Sequence, residues 1–139
     1  MCAKARENPV TVASGKRKTA VARVIVRKGA GRVRVNSVPV EIFQPDIARL
    51  KIMEPLLLAA EKRDALDIDV EVHGGGIMGQ ASAARTAIAK AIVEFLKDDA
   101  LRGLYKQYDR SLMVSDPRRK LPKTPQGRGA RRRRQKSYR

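Results

Sequence analysis

Apolar residues alternate with polar ones in several stretches of this chain and recur at helical spacing in another. The first alternating stretch runs from Val10 to Val26. VTVAS and TAVARVIV are rich in β-branched residues and SGKRK lies between them, so the pattern predicts one strand interrupted near Gly15 by a bend or bulge. RKGAGR follows, with two glycines suited to a hairpin turn. RVRVNS then predicts a second strand, with Val33 and Val35 facing a core and Arg32 and Arg34 facing out. Arg23 and Arg27 share one face of the first strand, so a hairpin of these two strands would present four guanidinium groups together.

Pro45-Asp46 opens a helical stretch with Asp46 as the expected N-cap. Pro55 suits the first turn of a new helix better than the middle of an old one, which predicts two short helices near 47–53 and 55–63. In LDIDVEVH, Leu66, Ile68, Val70 and Val72 point inward and Asp67, Asp69 and Glu71 outward. GGGIMGQ leads into the longest helix, near 79–97, whose apolar stripe is Ala81, Ala84, Ile88, Ala91, Ile92 and Phe95. Asp98 and Asp99 are placed to cap a further helix near 100–108, where Tyr105 and Tyr108 read as packing residues. Beyond Asp116-Pro117 no regular structure is expected. The sum is an α+β chain, a two-layer sandwich with one small sheet and its helices on one face. Residues 1–116 form the globular domain with a basic N-terminal arm, and residues 117–139 an extended basic tail.

Charge changes this picture from architecture to partner. The net charge is +17. Residues 1–34 carry +9, residues 35–116 carry −3, and residues 117–139 carry +11 with no Asp or Glu, so a near-neutral body sits between two basic arms. The tail, PRRKLPKTPQGRGARRRRQKSYR, has too little apolar surface to offset the entropy of ordering it alone, and it matches a dense field of negative charge such as nucleic acid. Pro117, Pro122 and Pro125 favour an extended course. At up to ~3.3 Å per residue the tail spans about 75 Å, against a radius of gyration of about 14 Å for a domain of this size. Without a Trp and with only two Phe, the chain lacks the aromatic platform of an RNA-recognition sheet, so a reader of phosphates and RNA shape fits better. No apolar run approaches the roughly 18 residues of a membrane span, no signal peptide is evident, and the tail has no apolar face to insert into a bilayer.

Two segments carry the candidate chemistry. GKRKTAVARV (15–24) sets Lys16, Arg17 and Lys18 on a bend, followed by Arg23, in a pattern suited to gripping phosphates. GGGIMGQ stands between a strand and a helix. It either cradles a phosphate on backbone N–H groups or uses Gly74, Gly75 and Gly76 to make a tight turn. It lacks the Gly-Lys-Ser/Thr of a nucleotide-binding loop and is not G-x-G-x-x-G, so a small-molecule kinase is the weaker reading. A general nucleic-acid chaperone would explain the arms but not the ordered KSYR ending. Asp67, Asp69 and Glu71 read as a solvated sheet face that offsets the hairpin arginines across strands, rather than as metal ligands. His73 is the only histidine, and Cys2 has no partner for a disulfide; neither makes a catalytic or metal constellation. No cofactor is expected.

SGKRKTAVARV (14–24), GGGIMGQASAARTAIAKAI (74–92), the SDPR junction (115–118) and the terminal QKSYR (135–139) together resemble the small-subunit ribosomal protein nine (S-nine) family over nearly the whole chain. The KSYR ending resembles its archaeal or eukaryotic branch. The resemblance implies a fold like the second domain of ribosomal protein S-five and a structural, non-enzymatic role in the head of the small ribosomal subunit, in the cytoplasm. It implies ribosomal RNA (rRNA), neighbouring head proteins and the P-site tRNA as partners. The residues then expected to meet rRNA are Lys16, Arg17, Lys18 and Arg23; Gly74, Gly75, Gly76, Gln80 and Arg85; and Arg118, Arg119, Lys120, Arg128, Arg131, Arg132, Arg133 and Arg134. Lys136, Ser137, Tyr138 and Arg139 are expected at the tRNA.

Overall fold

A computed structural model describes residues 9–125 and 127–132. The interrupted first strand is in fact a hairpin. β1 (Val10–Arg17) pairs antiparallel with β2 (Ala20–Lys28) in the register Arg17↔Ala20, leaving Lys18 and Thr19 as the turn. Lys18 takes φ 55°, the left-handed conformation that such a tight reversal needs. Lys16 and Arg17 are therefore strand residues, and Gly15 makes no bend. A Cβ on Gly15 would lie 2.3 Å from the Ala83 carbonyl oxygen and 2.8 Å from the Ala87 nitrogen, so Gly15 serves the close approach of a helix to the strand.

The second correction concerns sheet order. β3 (Val33–Val35) and β4 (Val38–Pro39) do not continue a hairpin from β2. β5 (Leu66–His73) lies between them, and the five strands run β1-β2-β5-β3-β4. β5 is antiparallel to β2 and parallel to β3. The register sets Arg23 opposite Glu71, Arg27 opposite Asp67, and Arg34 opposite Asp69. An acidic strand between two basic ones is the favourable cross-strand arrangement, whereas β2 beside β3 would set like charges together. Asp67 also organises the glycine loop. Its Oδ1 accepts from the Ala30 N–H at 2.9 Å and the Arg32 N–H at 3.1 Å, and these bonds hold its carboxyl below the usual carboxylate range.

One sheet face is covered. Ala22, Val24 and Val26 of β2 and Leu66, Ile68, Val70 and Val72 of β5 are buried there under the helices. The alternate residues Ser14, Arg23, Arg27 and Glu71 stay exposed. α2 (Ile77–Leu96) packs on β1 and β2 with one side and on α1 (Asp46–Ala59) with another. This double packing buries Ala83, Ala87 and Ala89 beyond the expected stripe. Their single methyl groups allow backbone-to-backbone approach.

α1 is one helix, not two, and runs through Pro55. Proline removes one intrahelical hydrogen bond, but Ile52, Pro55, Leu56 and Ala59 are buried on a common face, and that burial outweighs the loss. The Pro55 carbonyl accepts a 2.7 Å bond from the Tyr105 hydroxyl, deep in the core. Pro45, not Asp46, holds the N-cap position; its carbonyl accepts from Ala48 and Arg49, while Asp46 adds negative charge to the first turn. The expected second helix is a short 3-10 turn, Ala60–Ala65. α3 (Asp99–Tyr108) is capped as expected, with Asp98 Oδ1 accepting from Ala100 at 3.0 Å and Leu101 at 3.3 Å. Tyr105 is fully buried, but Tyr108 is 58 % exposed and does not pack. Among the described residues no helix is long and apolar enough to cross a membrane.

Two substitutions test this packing. Gly15→Ala forces α2 away from β1 and is expected to lower stability by about 1–3 kcal/mol. Tyr105→Phe removes the buried hydrogen bond to the Pro55 carbonyl and is expected to cost about 0.5–1.5 kcal/mol. Urea unfolding should show both as lower midpoints at unchanged m.

Candidate nucleic-acid interface

One end of the molecule gathers residues that lie far apart in sequence. The β1–β2 turn, the loop before α2 and Lys51 of α1 line an open cleft of about 710 Å³ whose wall includes Arg17, Lys18, Gly76 and Met78 and, among the described residues, no carboxylate. A smaller cleft of about 150 Å³ adjoins it and shares Arg17, Lys51 and Ser82. Lys16, Arg85 and Arg118 join the smaller cleft, and Asp116 is its only carboxylate among the described residues.

The glycine loop makes the tight turn that was one of its two readings. Gly74 and Gly75 have φ of 74° and 67°, and a Cβ on Gly74 would come within 2.6 Å of the Thr19 carbonyl oxygen. These two glycines are required by the turn. Gly76 is different: its φ is −106°, and a Cβ there meets nothing within 4 Å. Gln80 braces the loop, its Nε2 donating to the Gly74 carbonyl at 3.1 Å and its backbone N–H to the Gly76 carbonyl at 2.9 Å.

The segment leading to the tail is tied down along α2. Arg85 lies 2.5 Å from Glu54 through Nε and 2.8 Å from Asp109 through Nη2, and also donates to Ser111 at 3.1 Å. Thr86 Oγ1 donates to the Ser111 carbonyl at 3.1 Å, and Lys90 Nζ to Ser115 Oγ at 3.2 Å. Residue 116 then forms a parallel bridge with Arg17 at the end of β1. Arg17 Nη1 lies 2.6 Å from Asp116 Oδ2, and Arg118 grips the same carboxylate through Nε and Nη2, at 2.6 to 3.0 Å, with its backbone N–H at 2.9 Å. The hydrogen bonds from Arg118, side chain and then backbone, together with the nearby Arg17 charge, hold the Asp116 carboxyl far below the usual carboxylate range. Residues 117–124 leave this clasp without regular secondary structure.

The expected contact residues therefore divide. Arg17 and Lys18 converge with Gly75 and Gly76 in the larger cleft, and Lys16 lines the smaller one. Arg85 does not join them as a free cation: its side chain is 11 % exposed and faces two internal carboxylates. Gln80 is occupied within the loop. Arg23 stands on the open sheet face opposite Glu71 and lines neither cleft. Arg119, Lys120, Arg128, Arg131 and Arg132 are exposed, and none forms an ion pair among the described residues. Arg133, Arg134, Lys136, Ser137, Tyr138 and Arg139 lie outside the described residues. Lys51 was missed, because a lone lysine in an apolar helix carries no linear signal of its neighbours. Asp67, Asp69 and Glu71 form no metal-binding group among the described residues.

The chain matches the family model for ribosomal protein S9/S16 over residues 15–139. It is 57 % identical over 128 residues to the small ribosomal subunit protein uS9 of Thermoplasma acidophilum, covering 92 % of this chain and 99 % of that one. The uS9 protein of Thermoplasma volcanium is 54 % identical over 128 residues, at 92 % and 97 % coverage. That of Methanothrix thermoacetophila is 53 % identical over 130 residues, at 94 % and 98 %.

The clasp has a pH signature. The folded chain holds Asp116 ionised more strongly than the unfolded chain does. The clasp's stabilisation is therefore complete above the ordinary Asp value of about 3.9 and is lost as pH falls below it. Carboxyl-carbon NMR should show Asp116 titrating well below about 3.9, and Arg118→Ala should move that midpoint up. A midpoint near the ordinary value in the intact chain would mean that the clasp does not form in solution.

Proposed function

The chain belongs to the ribosomal protein S9/S16 family, and on that premise we propose that it binds small-subunit rRNA through the cation-lined end and the basic tail. Its role is that of a structural component of the small ribosomal subunit, not an enzyme. The carrying observation is that Lys16, Lys18 and Lys51, from two distant parts of the sequence, line adjoining clefts where the one carboxylate among the described residues, Asp116, is already clasped by Arg17 and Arg118. Uncompensated cations around a concave wall attract a polyanion by releasing its counterions. The exposed cations Arg119, Lys120, Arg131 and Arg132 extend that field along the tail. Arg118 contributes less, since its guanidinium is shared with Asp116.

In this reading the chain divides at the clasp. Residues 1–116 form the globular part that docks on rRNA in the subunit head, beside neighbouring head proteins, and residues 117–139 thread through RNA, in ribosomes of the cytoplasm. Lys136, Ser137, Tyr138 and Arg139 contact the P-site tRNA. The guanidinium of Arg139 suits bidentate phosphate binding, and Tyr138 offers a ring for stacking on a base or packing.

Two measurements follow. With about eight phosphate contacts, the slope of log K against log salt for rRNA binding should be about −6 to −7; a slope near −1 would contradict the reading. Deleting residues 136–139 should leave folding and rRNA binding intact while weakening P-site tRNA retention by the subunit. Unchanged tRNA retention would remove the assignment of those four residues.

A further inference from the structure

Resting on the RNA-binding reading, we propose that the larger cleft receives a single unstacked nucleotide, with its phosphate between Lys18 and Lys51 and its base against Ile77 and Met78. The contact is then specific for RNA shape, a bulge or a loop, and not for a continuous helical backbone.

The first argument is size. About 710 Å³ falls within the roughly 300–1,000 Å³ of sites that enclose a small molecule. Phosphates of a continuous duplex would touch only its rim. The second is the mixed chemistry of the wall. Ile77 and Met78 are 56 % and 43 % exposed, directly beside the cations. A site for phosphate alone has no use for two adjacent apolar side chains, whereas an extruded base is held between aromatic or apolar surfaces.

The third argument is the glycines. Gly76 and Gly79 both line the cleft, and neither has a positive φ. A Cβ on Gly76 would stand in open space, and one on Gly79 would make only ordinary contacts, 3.6 Å from Ala20 Cβ and 3.8 Å from the Arg17 carbonyl. The fold demands glycine at 74 and 75 by their positive φ; at 76, the N-cap of α2, Ser, Asn or Asp would serve as well, and at 79 glycine weakens the first turn. What glycine supplies at these positions is room in the cleft. Arg17 is committed to Asp116, which leaves Lys18 and Lys51 as the cations for the phosphate.

The test uses the full chain and fluorescence anisotropy at one fixed salt concentration. The probes are an RNA duplex, the same duplex with a one-nucleotide bulge, and a free nucleoside monophosphate as competitor. The bulged RNA should bind about five- to tenfold more tightly than the plain duplex. Gly76→Val should abolish that preference in a chain that stays folded, with only the small loss of Tm that a poorer N-cap residue brings; Gly74→Ala, by contrast, should lower Tm further. Equal and tight binding of both RNAs by the intact chain overturns the nucleotide site and leaves the rRNA reading standing. So does an unaltered preference in a folded Gly76→Val chain. A free monophosphate that binds the cleft while bulged and plain RNA bind alike overturns it in favour of a free-nucleotide site. Absence of RNA binding altogether overturns both the proposal and the reading beneath it.

Discussion

Everything at the basic end depends on how closely α2 lies on the β1–β2 hairpin. The contact is backbone on backbone, with the Ala83 carbonyl over Gly15 at a distance that no side chain at position 15 would permit. Ala83, Ala84 and Ala87 keep the helix near the sheet, and burial of the valines and isoleucines around them supplies the driving force. The consequence is positional. A helix held at this distance brings its first turn beside the Lys18-Thr19 reversal, and β5 reaches it through the Gly74–Gly75 turn, packed against Thr19 and Ala20. The cleft is the space left between them.

The same helix fixes where the tail begins. Arg85, Thr86 and Lys90 tie residues 109–115 along α2, and Arg17 receives Asp116 at the end of β1. Asp116 is thus held from two sides, by a strand residue before it in sequence and by Arg118 just after it. Arginine serves here twice in different ways. Mostly buried against Glu54 and Asp109, Arg85 has its charge matched by the fold, although it also lines the smaller cleft. Lysines 16, 18 and 51, with no ion-pair partner among the described residues, remain available to a polyanion. Counting basic residues overstates the interface, because some of that charge is consumed by the fold.

Much of the fold was legible because it is written in period. The alternation of LDIDVEVH, the apolar stripe of α2 and the Asp98 cap each depend on neighbours in sequence, and each stands where its pattern points. The errors share one cause, which is tertiary contact overriding a local signal. Lys16 and Arg17 look like a bend because they are polar, yet they are strand residues at the sheet edge. Pro55 looks like a helix break, yet burial of its face carries α1 through. β3 follows β2 in sequence but is separated from it by β5, whose acids find arginines on both sides. At the site, the Lys16–Lys18 cluster was legible as a charge run, but Lys51 and the commitment of Arg85 were not, since both are defined by residues more than twenty positions away.

The central claim is that RNA meets the cleft end and not the open sheet face, although both carry arginine or lysine. Ultraviolet cross-linking of intact small subunits, followed by mass spectrometry of this chain, tests it directly. Cross-linked nucleotides should map to peptides containing Lys16–Thr19 and Gly75–Gly79. Cross-links confined to the face of Arg23 and Arg27, with none in the cleft, would contradict the account.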